Sequence, residues 1–245
     1  MDVAVVAAEN FRARVEENPY PGRGLIVGRG SDGGWLQVYW IMGRSEHSRN
    51  RHFVAEGSTL RTEAVDPSKV DDRSLIIYRA MAELPGVYLV TNGDQTDTVI
   101  EGLEAGESFE SALATREREP DAPNYTPRIN GMLDLSTVEV ERQSMVLSVL
   151  RANDADAAQT DRSTFHPANP PPGYGLALTT YEGDGSPLPP FRGDPLWLPL
   201  SGNAEDVADT YWEALDAENR VALAVKAIDA SGGQSKIIVR NRFTP

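Results

Sequence analysis

The 245-residue chain contains no cysteine, which excludes disulfides, thiolate metal sites and a cysteine nucleophile. Histidine is nearly as scarce. With only His47, His52 and His166, a His-rich metal site is not expected, and no metal or cofactor is anticipated. The opening MDVAVVAAENF has an acidic second residue and a short apolar run without a basic flank. It fits neither a signal peptide nor a membrane span, so a cytoplasmic location with no membrane partner is expected. Basic charge is in deficit, with a net charge of −14 and a pI near 4.6. Neutralising phosphates along a duplex needs an extended basic face, so nucleic acid is not an expected partner.

The basic residues that exist are nearly all arginine, twenty against three lysines. Residues 19 to 52 hold Arg23, Arg29, Arg44, Arg49 and Arg51 against only Asp32 and Glu46, a local net charge of +3. A guanidinium stays charged and presents a planar fork of donors, which suits a phosphate. Surface ion pairing is the competing account, at ~0–1 kcal/mol per pair. It lacks acidic partners within this segment. Distant carboxylates are screened beyond about 8 Å, whereas a phosphate at ~4 Å in a partly buried pocket gains about 4 kcal/mol. Within GRSEHSRNR at 43 to 51, Arg44 and Arg51 are the strongest candidates for ligand contact.

Residues 2 to 17 have the spacing of a short amphipathic helix, and NPYPGRG then forces a turn. LIVG (25 to 28) and WLQVYWIMG (35 to 43) form a strand pair around SDGG. SLIIY (74 to 78) and VYLVTNG (87 to 93) are further strands, with a turn or two of helix in the intervening RAMAELPG. From Thr96 to Arg118 the spacing predicts two helical segments broken at Gly106. INGMLDL, SMVLSVLRA (144 to 152) and GYGLALTTY (173 to 181) read as strands. Residues 153 to 172 and the proline-rich 187 to 199 read as loops. Glu205 to Asn219 is a helix, and VALAVKAID with KIIVRNRF closes the chain as a hairpin. The order of elements argues against alternating βαβ units and for antiparallel sheets with helices packed outside, an α+β fold.

GRGLIVG at 22 to 28 is followed by strand-forming residues, so it is not a dinucleotide fingerprint. VTNGDQTDT puts Asn92 and Gly93 at a strand end and Thr96 and Asp97 at a helix start. Cap chemistry accounts for all four, and free N–H groups there also favour an anion. Tyr78 closes an apolar segment just before Arg79. Its hydroxyl has two readings, core packing or proton transfer.

Taken together, NPYPGRGLIVGR, YWIMGRSEHSRNR, LIIYRA, VTNGDQTDT, NYTPRINGML and TTYEGDGSPLPPFRGDP resemble the IMP cyclohydrolase family first known from archaea, over roughly residues 18 to 200. The resemblance implies a four-layer αββα sandwich like that of N-terminal-nucleophile hydrolases. It also implies ring closure of 5-formamidoimidazole-4-carboxamide ribonucleotide to inosine monophosphate. No Cys, Ser or Thr stands at Tyr20, Pro21, Gly22 and Arg23, where such hydrolases expose their nucleophile, and intramolecular chemistry requires none. By the same resemblance Tyr78 supplies a hydroxyl near the formyl group, and Glu119 or Glu117 the carboxylate at the amide. Arg44 polarises a carbonyl oxygen, and Arg23, Asn50, Arg51, Asn92, Gly93, Thr96, Asp97 and Arg128 bind the ribotide. The expected partner is a small purine ribonucleotide, and exposed sheet edges are compatible with a homo-oligomer. Two other functions share these residues: a ribotide-binding protein without turnover, and an amidohydrolase on a related ribotide. One domain over 1–245 is expected. The N-terminal helix, the insert at 167 to 172 and the tail after 200 stand as additions to the family core.

Overall fold

The computed structural model describes residues 2–70, 76–136 and 143–244. Helix α1 (Val3–Phe11) runs into a π-helical turn and then the hairpin β1 (Gly24–Arg29) and β2 (Trp35–Met42). The short α2 (Glu46–Arg49) precedes the hairpins β3 (His52–Glu56) with β4 (Thr59–Glu63) and β5 (Arg79–Leu84) with β6 (Val87–Thr91). Helices α3 (Gln95–Glu104) and α4 (Phe109–Leu113) lead to β7 (Arg128–Asp134), β8 (Met145–Ala152) and β9 (Thr160–Phe165). The chain continues through β10 (Tyr174–Thr179), β11 (Leu196–Pro199), α5 (Ala204–Ala214), β12 (Arg220–Ile228) and β13 (Ser235–Asn241).

The strands build two antiparallel sheets, one in the order β11-β10-β1-β2-β12-β13 and one running β3 through β9 in sequence. Period-two alternation sorts their side chains. Leu25, Val27, Tyr39 and Ile41 share a buried cluster with Tyr88, Val90, Ile129 and Leu133 of the other sheet. The alternate residues Ile26, Val38, Trp40 and Leu223 pack with Val15 and with Val207 and Tyr211 of α5. On the second sheet Ala82, Leu89 and Met132 pack against Val99, Ile100, Phe109 and Leu113 of α3 and α4. The fold is thus mixed, with two large antiparallel sheets and few helices. Among the described residues no helix is long and apolar enough to cross a membrane.

Several elements differ from the sequence expectation. RAMAELPG is strand β5 and its turn instead of helix: Pro85 and Gly86, the latter at φ +77°, form a two-residue connection that pairs Leu84 with Val87. Proline fixes the first turn dihedral and glycine supplies the positive one. Ser74 and Leu75 lie outside the described residues, and Ile76 to Tyr78 precede the strand. The expected loop at 153 to 172 contains β9, a polar edge strand on β8, and 187 to 199 ends in the short β11. The tail is no appendage either, because β12 lies inside the first sheet between β2 and β13.

A charge is buried in the middle of β12. Lys226 on β12 is fully buried, its ammonium 2.5 Å from a Glu83 oxygen, donating to the Ser58 carbonyl at 2.8 Å and lying over the Tyr88 ring. Burial pulls the ammonium pKa down and Glu83 restores only part of it. Removing one partner leaves the other charge uncompensated. Lys226→Met is therefore expected to lower the unfolding free energy by about 2–3 kcal/mol in urea denaturation, discounted for the partial exposure of Glu83. Adding Glu83→Leu is expected to recover much of that loss.

Candidate active site

A cavity of about 450 Å³ opens where four segments meet: the turn before β1, the segment between β2 and β3, the loop into β7, and the loop after β10. Gly22 makes the first wall possible. It sits at φ +73°, and a Cβ there would fall 2.2 Å from the Thr180 hydroxyl oxygen and 2.4 Å from the Tyr181 ring. The turn is stitched to the other sheet strand, with the Arg23 N–H donating to Thr180 Oγ1 at 3.0 Å and the Tyr181 N–H to the Pro21 carbonyl. The second wall is shaped by a capping box, in which Ser45 accepts from the Ser48 N–H and Ser48 Oγ accepts in return. That reciprocal pair fixes the entry to α2.

Two guanidiniums and one carboxylate stand at the base. Arg23 donates to both oxygens of Glu119, at 2.5 and 3.3 Å, and to the Asn92 carbonyl at 3.1 Å. Glu119 is 3% exposed. Burial opposes the charge on Arg23, but Glu119 together with Tyr78 and Tyr39 holds the guanidinium pKa well above its ordinary value. Arg51, 4% exposed, donates to the Ser48 carbonyl at 3.0 Å and has no carboxylate partner among the described residues. Burial and the nearby Arg23 pull its pKa down. Arginine remains protonated all the same, so the base of the cavity holds Arg51 without a carboxylate of its own beside the Arg23–Glu119 pair.

Phenols surround this charge. Tyr39 and Tyr78 are both buried and their hydroxyls lie 2.8 Å apart. Burial and then Tyr78 push the Tyr39 pKa well up, and both hydroxyls lie within electrostatic reach of Arg23 and Arg51. At the mouth the Arg44 guanidinium covers the Tyr20 ring at 4.8 Å, pairs with the Asp184 carboxylate and donates to the Gly185 carbonyl at 3.0 Å. Burial raises the Tyr20 pKa against the pull of Arg23, Arg51 and Arg44. Tyr20 stacks on Tyr181, ring centroids 6.1 Å apart.

The structure thus brings Arg23, Arg44, Arg51 and Glu119 to the cavity lining, while Tyr78 is not part of that lining but lies within electrostatic reach of Arg23 and Arg51. The other sequence candidates stand outside the cavity. Asn50 exchanges two hydrogen bonds with the Asp66 backbone. Asn92 holds the Pro127 carbonyl and the Ile129 N–H, and Thr96 bonds to Thr91. A Cβ on Gly93 would collide with Gln95 and Arg128. Asp97 pairs with Arg79, and Arg128 is occupied by Asp94, Gln95 and the Glu117 carbonyl. Glu117 is half exposed and bonds to Thr160 and Arg162. Tyr20, Asp121, Thr126 and Tyr181 line the cavity without having been singled out in sequence. Their signal was present in the PYPG, EPDAPNYTPR and TTYEGDG blocks, where each resembles an ordinary turn or strand-end residue. Among the described residues no three His, Asp or Glu side chains are grouped to hold a metal ion.

The chain is 30% identical over 144 residues to the IMP cyclohydrolase of Methanopyrus kandleri, covering 56% of this chain and 71% of that one. It is 34% identical over 95 residues to the IMP cyclohydrolase of Methanothrix thermoacetophila, covering 39% and 46%. The family model described as IMP cyclohydrolase-like protein matches residues 20–233, which carries the likeness past residue 200 and through β12. With that match spanning most of its length and both sheets, the chain belongs to the IMP cyclohydrolase-like family.

Proposed function

We propose that this protein is an IMP cyclohydrolase, closing 5-formamidoimidazole-4-carboxamide ribonucleotide to inosine monophosphate with loss of water, a step of purine biosynthesis. The observation that carries the reading is the cavity base, where the partly buried Arg23 and the buried Arg51 face one carboxylate beside a buried phenol pair. A nucleotide phosphate supplies the missing negative charge. Arg51 and Arg44 grip that end of the ligand, beside the Ser45 and Ser48 hydroxyls, and Arg23, Glu119 and Tyr78 serve the reacting end. Asn50, Asn92, Gly93, Thr96, Asp97 and Arg128 act behind the site by holding its walls. In layers the fold reads α-β-β-α, with clusters between the sheets and outside each of them. The N-terminal helix and the residues after 200 feed these same clusters, which supports one domain over the chain.

In the reaction the carboxamide nitrogen attacks the formyl carbon, and the formyl oxygen departs as water. The carboxamide nitrogen and the formamide nitrogen each give up one proton to that water. Both reacting groups are on one molecule, so holding the productive rotamer removes much of the entropic barrier. Glu119 draws a proton from the carboxamide nitrogen while Arg23 fixes the carboxylate. Tyr78 gives a proton to the formyl oxygen, and the adjoining guanidiniums stabilise the oxyanion as it develops.

Tyr78→Phe is expected to lower kcat by ~10²–10⁴-fold with little change in KM, read from product absorbance with the formylated ribotide. Normal turnover would remove Tyr78 from the mechanism. Glu119→Gln is expected to reduce kcat comparably and, by leaving Arg23 with a neutral partner, to lower the unfolding free energy by about 2 kcal/mol. Glu117→Gln, altering a carboxylate outside the cavity, is expected to leave turnover intact. The reverse pattern for the two glutamates would reassign the carboxylate.

A further inference from the structure

The three hydroxyl and carboxyl groups on the far wall form a chain whose direction is fixed by donor and acceptor arithmetic. Asp121 accepts the Thr126 N–H on Oδ1 at 2.7 Å and meets the Thr126 hydroxyl on Oδ2 at 2.5 Å. A carboxylate only accepts, so the single hydroxyl proton of Thr126 is committed to Asp121. Thr126 Oγ1 also lies 2.6 Å from the Tyr181 hydroxyl. With its own proton used, Thr126 can only accept there, and Tyr181 must donate. The lone pairs of Tyr181 are then what the hydroxyl has left for a ligand. Burial pushes the Tyr181 pKa up, which keeps the phenol protonated and able to make that donation.

The position of this oxygen is rigid. Thr126 and Tyr181 are 3% and 5% exposed, and both line the cavity. The Tyr181 ring is stacked on Tyr20, and its backbone is bridged to Pro190 and to Pro21. Around it the cavity offers mainly donors, from Arg23, Arg44 and Arg51. Glu119 already receives two bonds from Arg23, and Asp121 is engaged by Thr126.

We infer that Tyr181 is a specificity-determining residue that accepts a hydrogen bond from an N–H or O–H donor of the bound nucleotide, with Asp121 and Thr126 as positioning residues that hold it in the accepting orientation. This deepens the cyclohydrolase reading and rests on it. The donor has two sources in such a ligand, the amide N–H of the base and a ribose hydroxyl. The chain can also be reversed by one isosteric change. In Asp121→Asn the side-chain oxygen must still face the Thr126 N–H, so the amide N–H₂ faces Thr126 Oγ1 and donates. Thr126 then donates to Tyr181, whose proton turns to the ligand and opposes the ligand's own donor.

The test is calorimetric binding of inosine monophosphate, 2′-deoxyinosine monophosphate and N1-methylinosine monophosphate to the full chain and its variants. Tyr181→Phe is expected to weaken inosine monophosphate binding by about 3–10-fold. Asp121→Asn is expected to weaken it at least as much, with an unchanged circular dichroism spectrum, whereas Thr126→Ser binds as the wild type does. If the donor is the base amide, the Tyr181→Phe penalty disappears with the N1-methyl nucleotide and persists with the deoxy one. If it is the ribose 2′-hydroxyl, that pattern inverts. A folded Tyr181→Phe or Asp121→Asn variant with wild-type affinity for all three nucleotides overturns the inference alone. Failure of the wild type to bind or form inosine monophosphate overturns the cyclohydrolase reading and the inference with it.

Discussion

The fold holds a buried guanidinium, Arg51, for which it supplies no carboxylate among the described residues. Arg23 is balanced by Glu119, in a bidentate contact nearly closed to water. Arg23 stands close enough to disfavour the charge on Arg51, whose Nε proton goes to a backbone carbonyl. A buried cation without its counter-ion costs several kcal/mol in a folded protein. Such a cost persists where function requires it, and an anionic ligand removes it on binding. The same cavity belongs to a chain with a net charge of −14. Screening beyond about 8 Å separates the two facts, leaving the site attractive to a small phosphate ester and the exterior repulsive to polyanions.

The sheets make this juxtaposition possible. The open end of the β1–β2 hairpin presents both Arg23, just before β1, and the segment of Arg44 and Arg51 after β2, while β7 and β10 bring up the loops of Glu119 and Tyr181. Because β1 pairs with β10 in register from Gly24 to Arg29, the Arg23 and Tyr181 segments are adjacent although they are far apart in sequence. Gly22 and the neighbouring Thr180 hydroxyl convert that adjacency into a fixed turn. Each cavity wall is thereby anchored to a strand end, which suits a reaction that depends on holding one molecule in one rotamer.

Much of the framework was legible in the sequence because it carries strong local signals. SDGG between two β-rich runs became the first hairpin, Gly106 separates α3 from α4, and SGGQ joins β12 to β13. What was not legible has physical causes. Ala80, Met81 and Ala82 of β5 are buried, so that strand shows no alternation and its alanines suggest helix. The polar run of β9 follows from one-sided pairing at an edge, and the β3–β4 hairpin turns at Gly57 within a largely polar stretch. The arginine cluster stood out as composition, yet charge alone could not tell which members meet. Arg29 bonds the Gly33 carbonyl, Arg49 the Gly43 carbonyl, and Arg128 a network behind Gly93. The tyrosines of the cavity gave still less warning, since a phenol at a strand end is ordinary core chemistry until its partner is seen.

The most direct test of the central claim is the melting temperature of the wild type and of Arg51→Met, each with and without inosine monophosphate. An uncompensated buried guanidinium predicts that Arg51→Met melts above the wild type in the absence of nucleotide, and that the nucleotide stabilises the wild type but scarcely moves the variant. Arg51→Met melting below the wild type, yet stabilised by the nucleotide as strongly, would contradict the account.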